Sequence, residues 1–169
     1  MSWPFTETGP LRRLTATITF YDVVLFVHIL AVVLAFGVTF TYGLLFTHMR
    51  KAHPGDLVAL HRMQVFLTKR LITPMMVVIL VAGLYLATDR WELSDPWIVA
   101  TFAILIVLFG LMGAVFTPSE KRLVALAERD GGTPSAEYDR ASERLGKFGA
   151  LAGLLVVVAI FLMTVKPGA

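Results

Sequence analysis

The sequence predicts an all-α fold: a polytopic membrane protein of four transmembrane helices in an antiparallel bundle, with a charged cytoplasmic helical extension between helices three and four. Three observations lead there. Apolar runs at about Tyr21–Phe46, Leu71–Ala87, Trp97–Phe116 and Phe148–Val165 have the length of roughly 17–25 residues that an α-helix needs to cross a bilayer. Hydrophobic side chains make up 57% of the 169 residues, and the mean hydropathy of +0.75 is too high for an ordinary soluble domain. Only one ionisable side chain, His28, lies deep inside any run. Because hydrocarbon offers backbone groups no water, a span must be a helix or part of a closed barrel, and the runs lack the period-two alternation of a barrel strand. At this length the chain is expected to form one four-helix domain over 1–169.

Residues 1–19 contain Pro4, Gly9 and Pro10 and are expected to lead in along the surface. The first apolar run is longer than the h-region of a cleavable signal peptide, so span one is expected to be a retained anchor. After His53-Pro54-Gly55-Asp56, Asp56 is placed to cap a helix over Leu57–Leu67 that continues into span two. Pro74 should kink that helix, since it frees the carbonyl of Arg70 four residues earlier. Asp95-Pro96 reads as N-cap and first turn of span three. Thr117-Pro118-Ser119-Glu120 has capping-box spacing and should start a charged helix, which Asp130-Gly131-Gly132 would end. A second polar helix, opened by Thr133-Pro134, should run into span four. Asp139 and Glu143 are spaced to pair with Arg140, Arg144 and Lys147 along it.

Charge sets the expected orientation. The two long loops hold Arg50, Lys51, Arg62, Lys69, Arg70, Lys121, Arg122, Arg129, Arg140, Arg144 and Lys147, eleven of the fifteen Lys and Arg. Arg12, Arg13, Arg90 and Lys166 share the other side. The positive-inside rule then makes the loops cytoplasmic and both termini external, in a bacterial plasma (inner) membrane. The expected surroundings are lipid, with a homodimer or membrane-complex partner as candidates and no nucleic acid.

Span one has two unlike faces. Tyr21, His28, Ala31, Ala35, Thr39 and Tyr42 share one side and should face the bundle, while Phe26, Leu30, Val33, Phe40 and Leu44 suit lipid. An ionisable residue at this depth is costly, which makes His28 the first candidate for function. A buried neutral imidazole is equally able to hydrogen-bond Tyr85, a threonine or a backbone carbonyl. The other readings are a haem or metal ligand and a proton relay. His48 lies about 30 Å along the helix from His28, so two histidines of one subunit do not reach the same iron.

Arg70, with Lys69, sits where span two meets the bilayer, as a headgroup anchor or as a clamp for a carboxylate or porphyrin propionate. Span four repeats small residues, Gly146, Gly149, Ala150 and Gly153, in a small-xxx-small pattern that lets helices approach closely. Span three carries a comparable stripe of Ala103, Gly110, Ala114 and Thr117, and the two stripes are expected to meet. His48, His53 and His61 match no common metal-ligand spacing, and with no cysteine no thiolate site exists. Phosphate-binding glycine loops, nucleophile elbows and zinc-protease helices are absent, which sets aside conventional hydrolases and nucleotide-driven pumps.

Phe26-Val27-His28-Ile29-Leu30-Ala31-Val32 resembles the first-helix motif of small bacterial membrane proteins that include the HemJ-type protoporphyrinogen oxidases and the copper-resistance D family. Thr73-Pro74-Met75-Met76 with Gly83-Leu84-Tyr85-Leu86 resembles the second-helix motif of the former. Trp97-Ile98-Val99-Ala100 and the closing Val165-Lys166-Pro167 also fit. Over nearly its whole length the chain looks like a related family of predicted integral membrane proteins with no assigned function. The HemJ likeness implies haem-linked oxidation of a porphyrin precursor, with His28 as haem ligand. The sequence departs from that pattern at Thr101, where the oxidases carry a lysine, and near Gly110, where they carry a histidine.

Three functions follow as candidates. One is an accessory or interaction module of the bilayer, working through its glycine faces and cytoplasmic hairpin. Another is a haem-binding redox protein, and the third a copper or small-solute transport component. The first is preferred, because likeness to a family without an assigned activity selects no reaction.

Overall fold

The computed structural model describes residues 17–131 and 133–168, all of them helix or short connection. The chain's lead-in with Arg12 and Arg13, and Gly132 of the loop, lie outside the described residues. Four helical rods, over Phe20–Ala52, Pro54–Arg90, Pro96–Asp130 and Ala136–Val165, are each long and apolar enough to cross a membrane.

Helix α1 (Phe20–Ala52) starts at a capping box. The Thr19 hydroxyl accepts from the Asp22 N–H at 3.3 Å, and the Asp22 carboxylate accepts from the Thr19 N–H at 2.9 Å. It ends where Pro54 cannot continue it. Helix α2 (Leu57–Leu67) passes through a π-helical turn, Thr68–Ile72, into α3 (Thr73–Arg90). Helix α4 (Pro96–Leu111) passes through a second π turn, Met112–Phe116, into α5 (Thr117–Asp130), and α6 covers Ala136–Val165. At 1.5 Å per residue the rods that begin at Pro54 and Pro96 are roughly 50–55 Å long. The hydrocarbon core is about 30 Å thick, so α2 and α5 project beyond the apolar segments.

Both π turns sit just before a Thr-Pro pair. The Thr73 N–H and its hydroxyl, at 2.8 Å, both donate to the Thr68 carbonyl; Thr117 does the same to Met112, with the hydroxyl at 2.9 Å. A proline has no N–H and its ring collides with the carbonyl four residues back. Widening one turn to i→i+5 bonding absorbs the mismatch without breaking the rod. The kink expected at Pro74 is therefore a π turn ahead of it, and an equivalent one precedes Pro118.

This corrects the reading of Thr117–Glu120 as a capping box. The rod is continuous there, so no free N-terminal N–H groups exist to cap, and Glu120 bonds elsewhere. Asp56 and Asp95 occupy N-cap positions but make no side-chain cap bond, and the cap of α6 is Ser135, whose hydroxyl accepts from the Tyr138 N–H at 3.2 Å. Gly131 ends α5 with φ +61°, a left-handed conformation that glycine adopts freely.

Helix α1 packs on α3 through Ala31, Ala35 and Ile79, the two alanines letting the backbones close. Helix α4 packs on α6 around Leu108, Ala152 and Val156. Beyond the apolar segments, Leu57, Leu123, Leu126, Ala127 and Tyr138 join α2, α5 and α6. At the opposite end Ala87, Trp97 and Ile98 form a cluster beside Trp91, with the Lys166 ammonium 4.2 Å from the Trp91 ring centre. Outward residues are large and apolar: Phe26, Leu30, Val33, Leu44, Val81, Ile106, Leu154 and Phe161 are all exposed. Only 11% to 33% of the residues in the most apolar windows are buried, and a surface that apolar is stable only against hydrocarbon.

Candidate functional site

Among the described residues two cavities stand out along the bundle: His28 lines one, Gly146, Gly149, Ala150 and Gly153 line the other, and Arg70 lines neither. His28 is 6% exposed, with its ring in the seam of α1 and α3. A Cβ built on Gly83 would lie 3.1 Å from His28 Cε1, so the absent side chain at Gly83 makes room for the imidazole. Tyr85 donates to Asp89 at 3.3 Å and is not its partner. Nδ1 has no hydrogen bond, although the backbone of Ile79 lies beside it. The ring lines a cavity of about 180 Å³ with Tyr21, Trp91, Trp97, Thr101 and Lys166. Sites for drug-sized ligands span about 300–1,000 Å³, and a haem is larger than most such ligands. The space beside His28 is too small for a macrocycle, so the residues present do not fit a haem in this packing.

Arg70 lies in the first π turn with its side chain exposed, and it lines neither cavity. Gly146, Gly149, Ala150 and Gly153 all line the second cavity, a cleft of about 1000 Å³ between α1 and α6. The stripe on α4 does not meet them: Ala103 and Gly110 are exposed, and α6 uses Ala152 and Val156 against α4. The glycine face turns instead toward α1. Only Gly153 is closely covered there, by Phe40, whose Cε1 would be 3.1 Å from an added Cβ; added Cβ atoms at Gly43, Gly146 and Gly149 would meet nothing within 4 Å.

The end of this cleft beyond the apolar segments carries a buried polar cluster that the sequence reading did not assemble. His61 is 2% exposed and Glu120 is 5% exposed. His61 Nε2 is 2.8 Å from the Tyr138 hydroxyl, its Nδ1 is 3.4 Å from Gln64 Oε1, and Phe46 stacks on the ring at 4.5 Å. Glu120 Oε1 accepts from Gln64 Nε2 at 3.2 Å and from the Thr68 hydroxyl at 3.0 Å. No ion pair among the described residues reaches Glu120, so its carboxylate is buried with neutral donors only. Burial pushes the Glu120 carboxyl up to about 7, against the pull of its two hydrogen bonds, and pushes His61 down to about 4. Both groups lie on α2 and α5, outside the apolar runs at about Leu71–Ala87 and Trp97–Phe116. Tyr42, on the wall of the same cleft, is 9% exposed and its hydroxyl has no partner.

One signal for this cluster was present: His61, Gln64 and Thr68 follow at i, i+3 and i+7 along one helix face. Their partner Glu120 stands 52 residues beyond Thr68, and its spacing after Thr117 mimicked a cap. The charges of the polar helices also pair differently than expected. Arg50 reaches Asp139 at 2.7 Å, and Glu137 takes Arg129 at 2.8 Å and Arg122 at 3.0 Å. Partners thus come from facing helices and not from one turn away along α6. Among the described residues no group of three or more His, Cys, Asp or Glu is placed to hold a metal.

Fold and cavities together define an integral membrane protein of four long apolar helices, with a ligand-sized cleft that is apolar along most of its length and polar at one end. The chain belongs to the family described as predicted integral membrane protein (DUF2269), whose model matches residues 22–167. No curated protein and no solved structure matches it.

Proposed function

We propose that this protein is an accessory module of the bacterial plasma membrane that works by binding an amphiphilic molecule in the cleft between α1 and α6. In this reading the chain threads the bilayer four times as an antiparallel bundle, with both termini outside. The polar parts of α2, α5 and α6 form its cytoplasmic extension, and Arg70 anchors to headgroups. The observation that carries the reading is the cleft itself. About 1000 Å³ is bounded by apolar walls and by Gly146 and Gly149, which leave space that any larger side chain would fill, at the upper end of the range for small-molecule sites. The redox reading at His28 draws support from the unpartnered Nδ1, but the space beside that ring is about 180 Å³. The cleft is therefore the better site.

Native mass spectrometry of the full chain released from a mild detergent tests the reading. The wild-type protein is expected to carry a small-molecule adduct that Gly149→Phe loses while its helix content and melting stay intact. An adduct retained equally by both proteins would place the ligand elsewhere and end this proposal.

A further inference from the structure

The cleft's chemistry selects among amphiphiles. Glu120 makes both of its hydrogen bonds through Oε1, to Gln64 and Thr68. Its Oε2 accepts no hydrogen bond among the described residues, yet it is not among the fully enclosed atoms that lack a partner. That oxygen is thus accessible from the cleft that Glu120 lines. Tyr42 lines the same cleft, but its hydroxyl is enclosed and turned away from any guest. A buried carboxylate with unused hydrogen-bonding capacity carries a desolvation cost that a suitable ligand group would relieve.

The remaining charges decide the sign of that group. At the mouth Arg50 is matched by Asp139 at 2.7 Å, and Lys51 shares the rim with Glu143, so the rim is close to neutral. His61 is neutral at physiological pH and is held by Tyr138 and Gln64. Glu120 is then the acidic group at the polar end with no ion-pair partner among the described residues, ready to complete its ionisation against a cation. An anionic lipid would set like charge against it, and a neutral lipid or a second copy's apolar helix would leave it without a counter-charge.

We propose that the cleft takes a cationic amphiphile, its ammonium head donating to Glu120 Oε2, its apolar body along the glycine face of α6. This inference rests on the binding reading above and names the ligand class. An alkyl or aromatic body matches the walls of Phe36, Phe40, Met76 and Leu108. A primary or secondary ammonium supplies both a positive charge and hydrogen-bond donors, which charge-assisted bonding to a carboxylate needs.

The test titrates decylammonium and decanol, which share a chain and differ in head, against the full-length protein in maltoside micelles, read by the shift in thermal unfolding. The wild type is expected to bind decylammonium roughly tenfold or more tightly than decanol, one charge-assisted contact being worth about that factor. Glu120→Gln keeps the shape and removes the charge, and it should abolish the preference. Equal binding of the two probes by the wild type, with both lost in Gly149→Phe, would overturn the cationic inference and leave the binding reading standing. Binding of both probes undiminished by Gly149→Phe, or no binding to the wild type, would overturn both. If Glu120→Gln does not fold, the wild-type comparison of the two heads still decides the inference.

Discussion

Glu120 and His61 are buried in one cluster with opposite effects on stability. The Glu120 carboxyl is raised from its usual value near 4.5 to about 7, so the native state holds its proton more tightly than the unfolded chain does. Its contribution is complete below about pH 4.5 and is lost as pH rises through about 7. His61 is lowered from 6.5 to about 4, so its contribution is complete above about 6.5 and is lost as pH falls toward 4. The two slopes oppose each other over nearly the same window. Wild-type melting is therefore expected to change little between pH 4.5 and 6.5, whereas Glu120→Gln unmasks the histidine. That variant should lose up to ~3 kcal/mol across the window, at about 1.4 kcal/mol per pKa unit. Melting curves in detergent at three pH values check this, and a variant as flat as the wild type would show that His61 is not held neutral. The sequence offered little of this. A carboxylate three residues after a threonine reads as a cap, and its burial depends on side chains more than 50 residues away.

Among the elements, the two Thr-Pro π turns do most to shape the cleft. Each shifts the helix register just where a rod leaves the apolar layer. One presents Thr68 and the other leads directly into Glu120, which brings the two side chains to 3.0 Å. The threonine hydroxyls pin the widened turns by giving the Thr68 and Met112 carbonyls a second donor. Thr73→Val and Thr117→Val keep the side-chain shape and remove that bond, and each is expected to cost roughly 1 kcal/mol, the usual worth of one hydrogen bond. Unfolding midpoints of the two variants measure this, and an unchanged midpoint in either would show that proline alone sets the turn. The prolines were legible as helix disturbances because a missing N–H is a local property. That the disturbance would be a π turn and not a break was decided by the continuous packing of both rods.

At the scale of the whole molecule, the proposed orientation rests on the distribution of cations, and the chain suits a direct test because it contains no cysteine. Ser94→Cys, in the link before α4, is expected to react with a membrane-impermeant maleimide on intact cells. Thr133→Cys, in the loop before α6, should react only after lysis. The reverse pattern would invert the proposed topology, placing the polar end of the cleft outside the cell. The cleft itself arises because α1 is committed to α3 through alanines and α4 to α6 through Leu108. The remaining seam, between α1 and α6, is lined by glycines with nothing opposite most of them.

The amino-acid order by itself determined that this chain is built of four membrane-length helices and which face of the first turns inward. Both are consequences of hydrophobicity repeated along one stretch, a property each segment carries alone. Only the tertiary structure decided that the glycine face of α6 borders a cleft and not α4, and that Glu120 is a buried carboxylate and not a cap. Those outcomes depend on which helices pair and on where two π turns rotate the rods. They are set by contacts between segments that no local pattern encodes.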